Sequence, residues 1–416
     1  MPTMSRRLLM KTMVTGLAGL TAGAGPTALA AAGRSRRVIF VFANGGWDPL
    51  AVFAPIFGSP YVDANDGERA TSGGLSYVDH PERPSVRAFF ERWHASTAIV
   101  NGISVPSLSH EVCTRLVWTG QSGEGRPDWP STVGAAAAGR YTLPGLVLSG
   151  PSFPDRYGVY SARAGANGQL ADLIDGSILY VRDVADTPLP VPLRGLVSDA
   201  VEARAAAFAA TDPSADAVAD AYTLALDRAR GLTDAPDPLD LRSAIDFASS
   251  TALAVDALDR GISRAVTLEA DGVWDSHSAN DATQSFQFEG LFAGLLALLD
   301  QLAATPSGAG TLLDDTAVVV LSEMGRTPLR NSAEGRDHWP YTSAMLVGGG
   351  VRGDQVVSGF DDRYFPLGYD AATGATAAGG EPLATEHLGA TLLALCDIDP
   401  AEHLPTEISP IAAVLA

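Results

Sequence analysis

Short, largely apolar runs recur along the chain, at residues 38–43, 97–100, 145–148, 316–321 and 343–347. Runs of this length without polar alternation are typical of strands covered on both faces, as in a parallel sheet between two helical layers. Longer stretches with helical periodicity lie between them, at residues 85–94, 284–304 and 384–396. This alternation predicts an α/β fold with a doubly wound, mostly parallel sheet and helices on both faces.

Residues 198–263 depart from this alternation. The region is rich in alanine, and its helical periodicity is interrupted at residues 211–213 and again at 234–238, where Pro, Asp and Thr cluster. Such breaks end helices. The pattern predicts two or three helices that form a cap or side layer, inserted in a single α/β domain that spans residues 37–416.

Residues 1–30 predict an export signal and not a part of the fold. Arg6 and Arg7 precede a weakly apolar stretch rich in Gly, Ala and Thr, which ends in the small-residue cleavage signal of residues 28–30. This is the pattern of a twin-arginine signal peptide, so the translocase of that pathway is an expected partner and the bacterial periplasm or cell exterior the expected location. The apolar run of about fourteen residues is too short for a stable membrane span across ~30 Å of hydrocarbon.

The charge of the chain narrows the classes of ligand. It has 28 Lys and Arg against 48 Asp and Glu, a formal net charge of −20. Such a surface repels nucleic acid and anionic lipid, so no nucleic-acid partner is expected. An anionic substrate would need bound cations or a local basic pocket. The two cysteines, Cys113 and Cys396, either pair or stay separate as buried thiols, and their wide spacing favours the second arrangement.

Polar residues directly after apolar runs are the informative ones, because ligands of open α/β sheets bind at the carboxyl ends of strands. Asp48 follows the first run through Gly45-Gly46, and Glu323 follows the run at 316–321 after one serine. Further candidates stand in loops or at helix starts: Ser109, His110, Asp275, His277, Asp337 and His338.

Each candidate also has a purely structural interpretation. Asp48 suits an Asx cap in a turn, Glu323 an ion pair with Arg326, and Ser109 a helix cap. Taken together, imidazoles and carboxylates at strand ends favour a divalent metal ion. A mixed nitrogen and oxygen ligand set suits Zn, Mn or Fe, whereas oxygen alone suits Mg or Ca, and the cluster is large enough for one ion or two.

Several motifs together resemble one protein family. They are NGGWD at residues 44–48, SLSHEV at 107–112, WDSH at 274–277, SEMGRTPLRN at 322–331, GRDHW at 335–339 and LVGGGVRG at 346–353. In order and spacing they are similar to the domain-of-unknown-function family 1501, from about residue 37 to about residue 410. That family is grouped with the alkaline phosphatase-like superfamily, which includes phosphatases, sulfatases and cofactor-independent phosphoglycerate mutases.

The resemblance implies a sheet with one or two divalent metal ions at its carboxyl edge, which activate a nucleophile and stabilise charge on the oxygens of an ester. It implies metal-ligand positions at Asp48, Asp275, His277, Glu323, Asp337 and His338. It implies that Ser109 occupies the region of the nucleophile with His110 beside it. Arg326 would contact the oxyanion, since a guanidinium fits phosphate or sulfate bidentately.

The chain departs from the family pattern at two positions. Trp47 stands where members commonly have Asn, and His338-Trp339 replaces part of a DHGHG motif, which removes one potential histidine ligand. A sulfatase of the formylglycine type is not expected, because its nucleophile needs a C-x-P-x-R motif and residues 113–115 read Cys-Thr-Arg.

Two functions follow from these features. The first is an exported metal-dependent hydrolase of a phosphate or sulfate ester, on a small molecule or a polymer, acting through Ser109 or a metal-activated water. The second is a non-catalytic exported protein that keeps the fold and serves as a binding protein or a cell-surface protein.

Overall fold

A computed structural model of the protein describes residues 36–63, 66–165, 170–171, 191–211, 216–233, 239–370, 373–377, 380 and 382–416. The predicted export signal lies outside the described residues. The strands are β1 (Arg37–Phe42), β2 (Glu68–Ser72), β3 (Leu75–Asp79), β4 (Thr97–Ser104), β5 (Gly145–Val147), β6 (Ser161–Arg163), β7 (Ala265–Glu269), β8 (Pro306–Ser307), β9 (Gly310–Thr311), β10 (Thr316–Leu321), β11 (Gly325–Arg326), β12 (His338–Trp339), β13 (Tyr341–Gly348), β14 (Gln355–Val357) and β15 (Leu383–Ala384). The α-helices are α1 (Pro49–Val52), α2 (Pro84–Trp93), α3 (His110–Thr119), α4 (Trp129–Ala135), α5 (Val191–Thr211), α6 (Asp216–Thr233), α7 (Phe247–Asp259), α8 (Asn280–Ala304) and α9 (Thr385–Leu395).

Nine of the strands in the described residues form one sheet, in the order β14-β4-β13-β10-β1-β7-β5-β6, with β15 beside β4. β1 pairs in parallel with both β10 and β7. β13 pairs antiparallel with both β10 and β4, so it runs opposite to the rest of the sheet. The predicted α/β fold with a mostly parallel sheet is confirmed.

Strand β1 shows how the sheet is covered on both faces. Val38, Phe40 and Phe42 pack in one apolar cluster with α3, α4 and α9. Ile39 and Val41 point the other way and pack in a second cluster with α2, α7 and α8. Because successive side chains of a strand alternate between faces, an apolar run without alternation must be buried on both, as predicted. Cys113 and Cys396 are both free thiols, buried in the first cluster.

Trp47, which departs from the family pattern, is a core residue. It is fully buried, and its ring lies 4.8 Å from that of Phe53 and 5.9 Å from that of Phe288, measured between centroids. Its indole Nε1 donates to Thr342 Oγ1 at 2.9 Å. The indole thus fills apolar space and satisfies its single donor, which anchors the turn after β1.

The direction of β13 decides which loops meet. Leu321, the last residue of β10, pairs with Ala344, so the start of β13 at Tyr341 lies beyond the carboxyl end of β10. In an antiparallel pair, the segment before one strand lies at the edge where its neighbour ends. Residues 337–338, which precede β13, therefore reach the same edge as the loops that follow β1, β4, β7 and β10.

The region predicted as a helical insert contains most of α5 and the whole of α6 and α7. Helix α5 packs against α6, whereas α7 packs against α8 and β7, in the second apolar cluster. Residues 212–215 and 234–238, at the two predicted breaks, are outside the described residues. The boundaries of the insert and of the domain stay predictions.

Among the described helices, α8 alone is long and apolar enough by length and composition to cross a membrane. Its Phe288, Leu291, Phe292 and Leu295 are buried in the second apolar cluster. Since these side chains are already covered by the core of the protein, the helix is weak evidence for membrane crossing.

Candidate metal centre

Three predicted residues meet at the carboxyl edge of the sheet. His110 opens α3 after β4, Asp275 follows β7, and His338 precedes β13. One potential ligand atom from each lies within 4.8 Å of the others. The rings of His110 and His338 are perpendicular, with centroids 4.4 Å apart. Strand order brings these side chains together, although they are distant in the chain.

His277 joins this group. Its Nε2 lies 3.1 Å from Asp275 Oδ1 and 3.0 Å from His338 Nε2. Asp275 Oδ1 is also 3.3 Å from His338 Nε2, and Asp275 Oδ2 is 3.5 Å from His110 Nε2. Three imidazole Nε2 atoms therefore surround one carboxylate.

The Nδ1 atom of each imidazole faces an atom that only accepts hydrogen bonds. His110 Nδ1 lies 2.7 Å from Glu323 Oε1, His277 Nδ1 lies 2.8 Å from Asp337 Oδ1, and His338 Nδ1 lies 2.7 Å from the carbonyl oxygen of Leu108. Because carboxylate and carbonyl oxygens accept, each Nδ1 carries the proton. In the neutral imidazoles, each Nε2 then carries a lone pair, and each of the three Nε2 atoms lies within 3.5 Å of an Asp275 oxygen.

This arrangement fits a bound cation. The Nε2 of His110 is buried and makes no hydrogen bond with any described residue. The Nε2 atoms of His277 and His338 face each other at 3.0 Å, and two lone pairs at that distance repel. A divalent ion between them and Asp275 removes both problems. Imidazoles whose Nδ1–H is held by a carboxylate or carbonyl are the usual arrangement at metal sites, and the donor set suits Zn, Mn or Fe.

Glu323 orients His110 from the core of the protein. It is completely buried and accepts from the backbone N–H of Gly45 at 2.8 Å as well as from His110. The hydrogen bond that His110 donates to Glu323 raises the pKa of His110, although partial burial opposes the rise. Gly45 has φ +121°, and a Cβ there would lie 2.8 Å from the backbone nitrogen of Asp275. Only glycine therefore lets this loop lie against both Glu323 and Asp275.

Arg326, predicted as an oxyanion contact, is instead fully buried and holds Asp275. Its Nη2 donates to Asp275 Oδ1 at 2.7 Å and its Nε to the carbonyl of Gly46 at 2.8 Å, and Nη2 also bonds the carbonyl of Gly45. Burial acts to raise the pKa of Asp275, but the hydrogen bond and charge of Arg326 outweigh it and lower that pKa. The structure makes Arg326 a positioning residue, because its donors are directed into the protein.

Asp48 has a different set of partners from those expected of a metal ligand. It is completely buried, its Oδ1 accepts from Leu50 N–H at 3.0 Å as the cap of α1, and its Oδ2 accepts from Asn280 at 2.9 Å. Arg336 Nε lies 3.2 Å from the same Oδ2. Both oxygens are thus engaged, and we leave Asp48 out of the proposed ligand set.

Sequence reasoning missed Arg336, although it directly precedes Asp337 and His338 in the GRDHW motif. The guanidinium is fully buried, and beyond Asp48 it donates to the carbonyls of Thr327 at 2.8 Å and Pro328 at 2.5 Å. A basic residue between a glycine and two candidate ligands was the available signal. No such signal marks Leu108, whose carbonyl oxygen orients His338, because any residue type can supply a backbone carbonyl.

Ser109 lies at the N-cap of α3 next to His110. It is exposed, and its side chain makes no capping hydrogen bond, so the helix-cap interpretation is not supported. Its backbone N–H donates to Ser107 Oγ at 3.1 Å. Its role as nucleophile stays a prediction.

Asp337 and Glu323 are orienting partners in this geometry. The hydrogen bond from His277 lowers the pKa of Asp337. We expect Glu323→Gln and Asp337→Asn each to weaken Zn²⁺ or Mn²⁺ binding by about 10- to 100-fold, because each removes the negative charge of the acceptor that orients a ligating histidine. Isothermal titration of chelator-treated protein measures this. Unchanged affinity in both variants, matching the exposed control Asp259→Asn, would contradict the assignment.

One family model matches most of the chain. The family described as a protein of unknown function, DUF1501, matches residues 35–407. The chain belongs to the DUF1501 family. The match includes every residue of the centre, from His110 to His338. No curated protein matches the chain.

Solved structures similar to this DUF1501 protein include a phosphoethanolamine transferase, a putative sulfatase and a lipoteichoic acid synthase. Lipooligosaccharide phosphoethanolamine transferase A of Neisseria meningitidis is 11% identical with a TM-score of 0.43, over 92% of this chain and 59% of that one. A putative sulfatase from Bacteroides thetaiotaomicron is 10% identical with a TM-score of 0.41, over 90% and 73%. The lipoteichoic acid synthase of Listeria monocytogenes is 9% identical with a TM-score of 0.40, over 92% and 76%. At TM-scores below 0.5, these likenesses assign no substrate.

Proposed function

We propose that the protein is a metal-dependent hydrolase of phosphate or sulfate esters. The ligands of the proposed ion are the Nε2 atoms of His110, His277 and His338 and the carboxylate of Asp275. The observation that carries the proposal is the convergence of these three Nε2 lone pairs on one carboxylate, with each Nδ1 proton held by an acceptor. A divalent cation at this point would accept these three lone pairs and offset the charge of the carboxylate.

The side chains around the centre have defined tasks in this proposal. Arg326 holds Asp275 ionised, and Glu323 and Asp337 hold the Nδ1 atoms of His110 and His277, which orients both imidazole rings toward Asp275. When bound, a divalent ion supplies Lewis-acid stabilisation of the charge that develops on the oxygens of the ester. Ser109, exposed beside His110, is the side chain we propose as nucleophile.

We also propose that the protein is exported folded by the twin-arginine pathway and works in the periplasm or at the cell exterior. The support is the Arg6-Arg7 motif and the cleavage signal at residues 28–30. Replacing both arginines by lysine is expected to hold the precursor in the cytoplasm, as measured by cell fractionation. Export at the normal rate by that variant would exclude this route.

The hydrolase is tested with chelator-treated protein and a panel of p-nitrophenyl phosphate, bis(p-nitrophenyl) phosphate and p-nitrophenyl sulfate. Addition of Zn²⁺, Mn²⁺, Mg²⁺ or Ca²⁺ is expected to restore cleavage of at least one ester. His110→Ala is expected to remove that activity, whereas His80→Gln, a histidine in the loop before α2, should retain it. Metal binding without cleavage of any ester would leave an exported metal-binding protein, and no metal binding would end the proposal.

A further inference from the structure

A cleft of about 760 Å³ opens beside His110. The residues that matter for its chemistry are His110, Glu111, Arg115, Glu124, Phe153 and Glu269. His110 thus belongs both to the metal centre and to the wall of this cleft. A substrate whose ester reaches the centre extends into the cleft, so the cleft walls select it.

Arg115 is the cation of this cleft. It lies on α3, it is half-buried, and its guanidinium carbon is 4.7 Å from the centroid of the Phe153 ring. Within the described ranges it makes no ion pair with a carboxylate. Stacking covers one face of the guanidinium, and its N–H donors lie in the plane and stay available for a bidentate anion.

Phe153 is fixed in place, which makes Arg115 preorganised. The backbone N–H of Phe153 donates to Asp128 Oδ2 at 2.5 Å, and Asp128 N–H donates back to the Phe153 carbonyl at 2.9 Å. Asp128 is buried and caps α4 through Ser131 N–H at 2.7 Å. The residue on which the guanidinium stacks is therefore attached to a helix. Because the guanidinium is already ordered, less conformational entropy is lost when an anion binds.

We propose that Arg115 binds the anionic group of the substrate, the role that the family resemblance implies for Arg326. This proposal rests on the proposed function. Arg326 is excluded from the task by its burial and its internal hydrogen bonds. Arg115 and His110 line the same cleft, and Arg115 follows His110 by five positions, a rise of about 7.5 Å along α3.

The carboxylates of the cleft restrict the substrate further. Glu111, Glu124 and Glu269 line it without an ion-pair partner in the described part of the chain, and Glu269 accepts from Asn44 Nδ2 at 3.0 Å. Three carboxylates around one guanidinium repel a second anionic group. The substrate class is therefore an ester with one anionic group whose remainder is neutral or cationic.

The test compares metal-loaded wild type, Arg115→Gln and Arg115→Lys. Arg115→Gln is expected to weaken inorganic phosphate binding by about 10- to 100-fold, the loss that follows removal of a charged hydrogen-bonding partner, and to raise KM more than it lowers kcat. Lysine keeps the charge without the fork and should be intermediate. The control is Arg363→Gln, since Arg363 stacks over Tyr61 at 4.8 Å outside the cleft.

Phosphate affinity and KM in Arg115→Gln equal to those of Arg363→Gln would overturn the proposal. Should Arg115→Gln fail to fold, Phe153→Leu removes the stacking platform and is expected to weaken phosphate binding, with unchanged binding overturning the proposal. Arginine-dependent phosphate binding without ester cleavage would support Arg115 while rejecting the hydrolase. Glu269→Gln should strengthen phosphate binding, and added salt should remove this increase in affinity. Phosphate affinity in Glu269→Gln equal to that of wild type would reject the predicted preference for substrates with one anionic group.

Discussion

Asp275→Asn is expected to abolish divalent-metal binding while the protein stays folded. Asp275 is the carboxylate on which three Nε2 atoms converge, and asparagine keeps its shape without its charge. The loss should exceed the roughly 10- to 100-fold typical of removing an orienting partner, because a ligand itself is removed. Arg326 still bonds four backbone carbonyls, so its buried guanidinium remains satisfied.

Three measurements separate this loss of binding from unfolding. Elemental analysis gives the metal content, thermal unfolding gives stability, and hydrolysis of the ester panel gives activity. Asp259→Asn, at an exposed position at the end of α7, is the matched control and should behave as wild type. Metal retained at wild-type stoichiometry in Asp275→Asn would show that the ion is held elsewhere.

Asp48→Ala is expected to lower the free energy of unfolding by about 3–5 kcal/mol, the typical cost of breaking a buried ion pair by removal of one partner. Asp48 and Arg336 are both completely buried. The substitution leaves the guanidinium charge without its carboxylate, and it also removes the cap of α1. Chemical denaturation of the protein measures the change.

A double variant distinguishes the ion pair from a metal ligand. Asp48→Leu with Arg336→Met replaces the pair by apolar groups and should recover much of the stability, because no buried charge is left alone. Metal content should stay at the wild-type level in that double variant. Loss of metal without loss of stability in Asp48→Ala would restore Asp48 as a ligand.

The sequence predicted the sheet where burial on both faces left an unbroken apolar run. β1 and β10 are such runs and lie side by side in the middle of the sheet. β7, the other neighbour of β1, was missed, because its five residues include Thr267 and Glu269 and adjoin the Ala-rich region. Its burial comes from tertiary packing that no local pattern records.

The sequence predicted which residues meet at the site, but it did not predict the role of each one. Strand ends marked His110, Asp275, His277 and His338, all of which meet. Whether a carboxylate binds a metal or orients a histidine depends on side-chain geometry, so Glu323 and Asp337 were grouped with the ligands. The buried partner of Asp48, Arg336, is brought to it by the antiparallel direction of β13, which periodicity does not reveal.

The most direct test of the metal centre is a crystal structure of protein loaded with Zn²⁺ or Mn²⁺, with the ion located by anomalous scattering. We expect one ion at about 2.0–2.2 Å from the Nε2 atoms of His110, His277 and His338 and from an Asp275 oxygen. An ion bound at Asp48, or no ion between these histidines at saturating metal, would contradict the account.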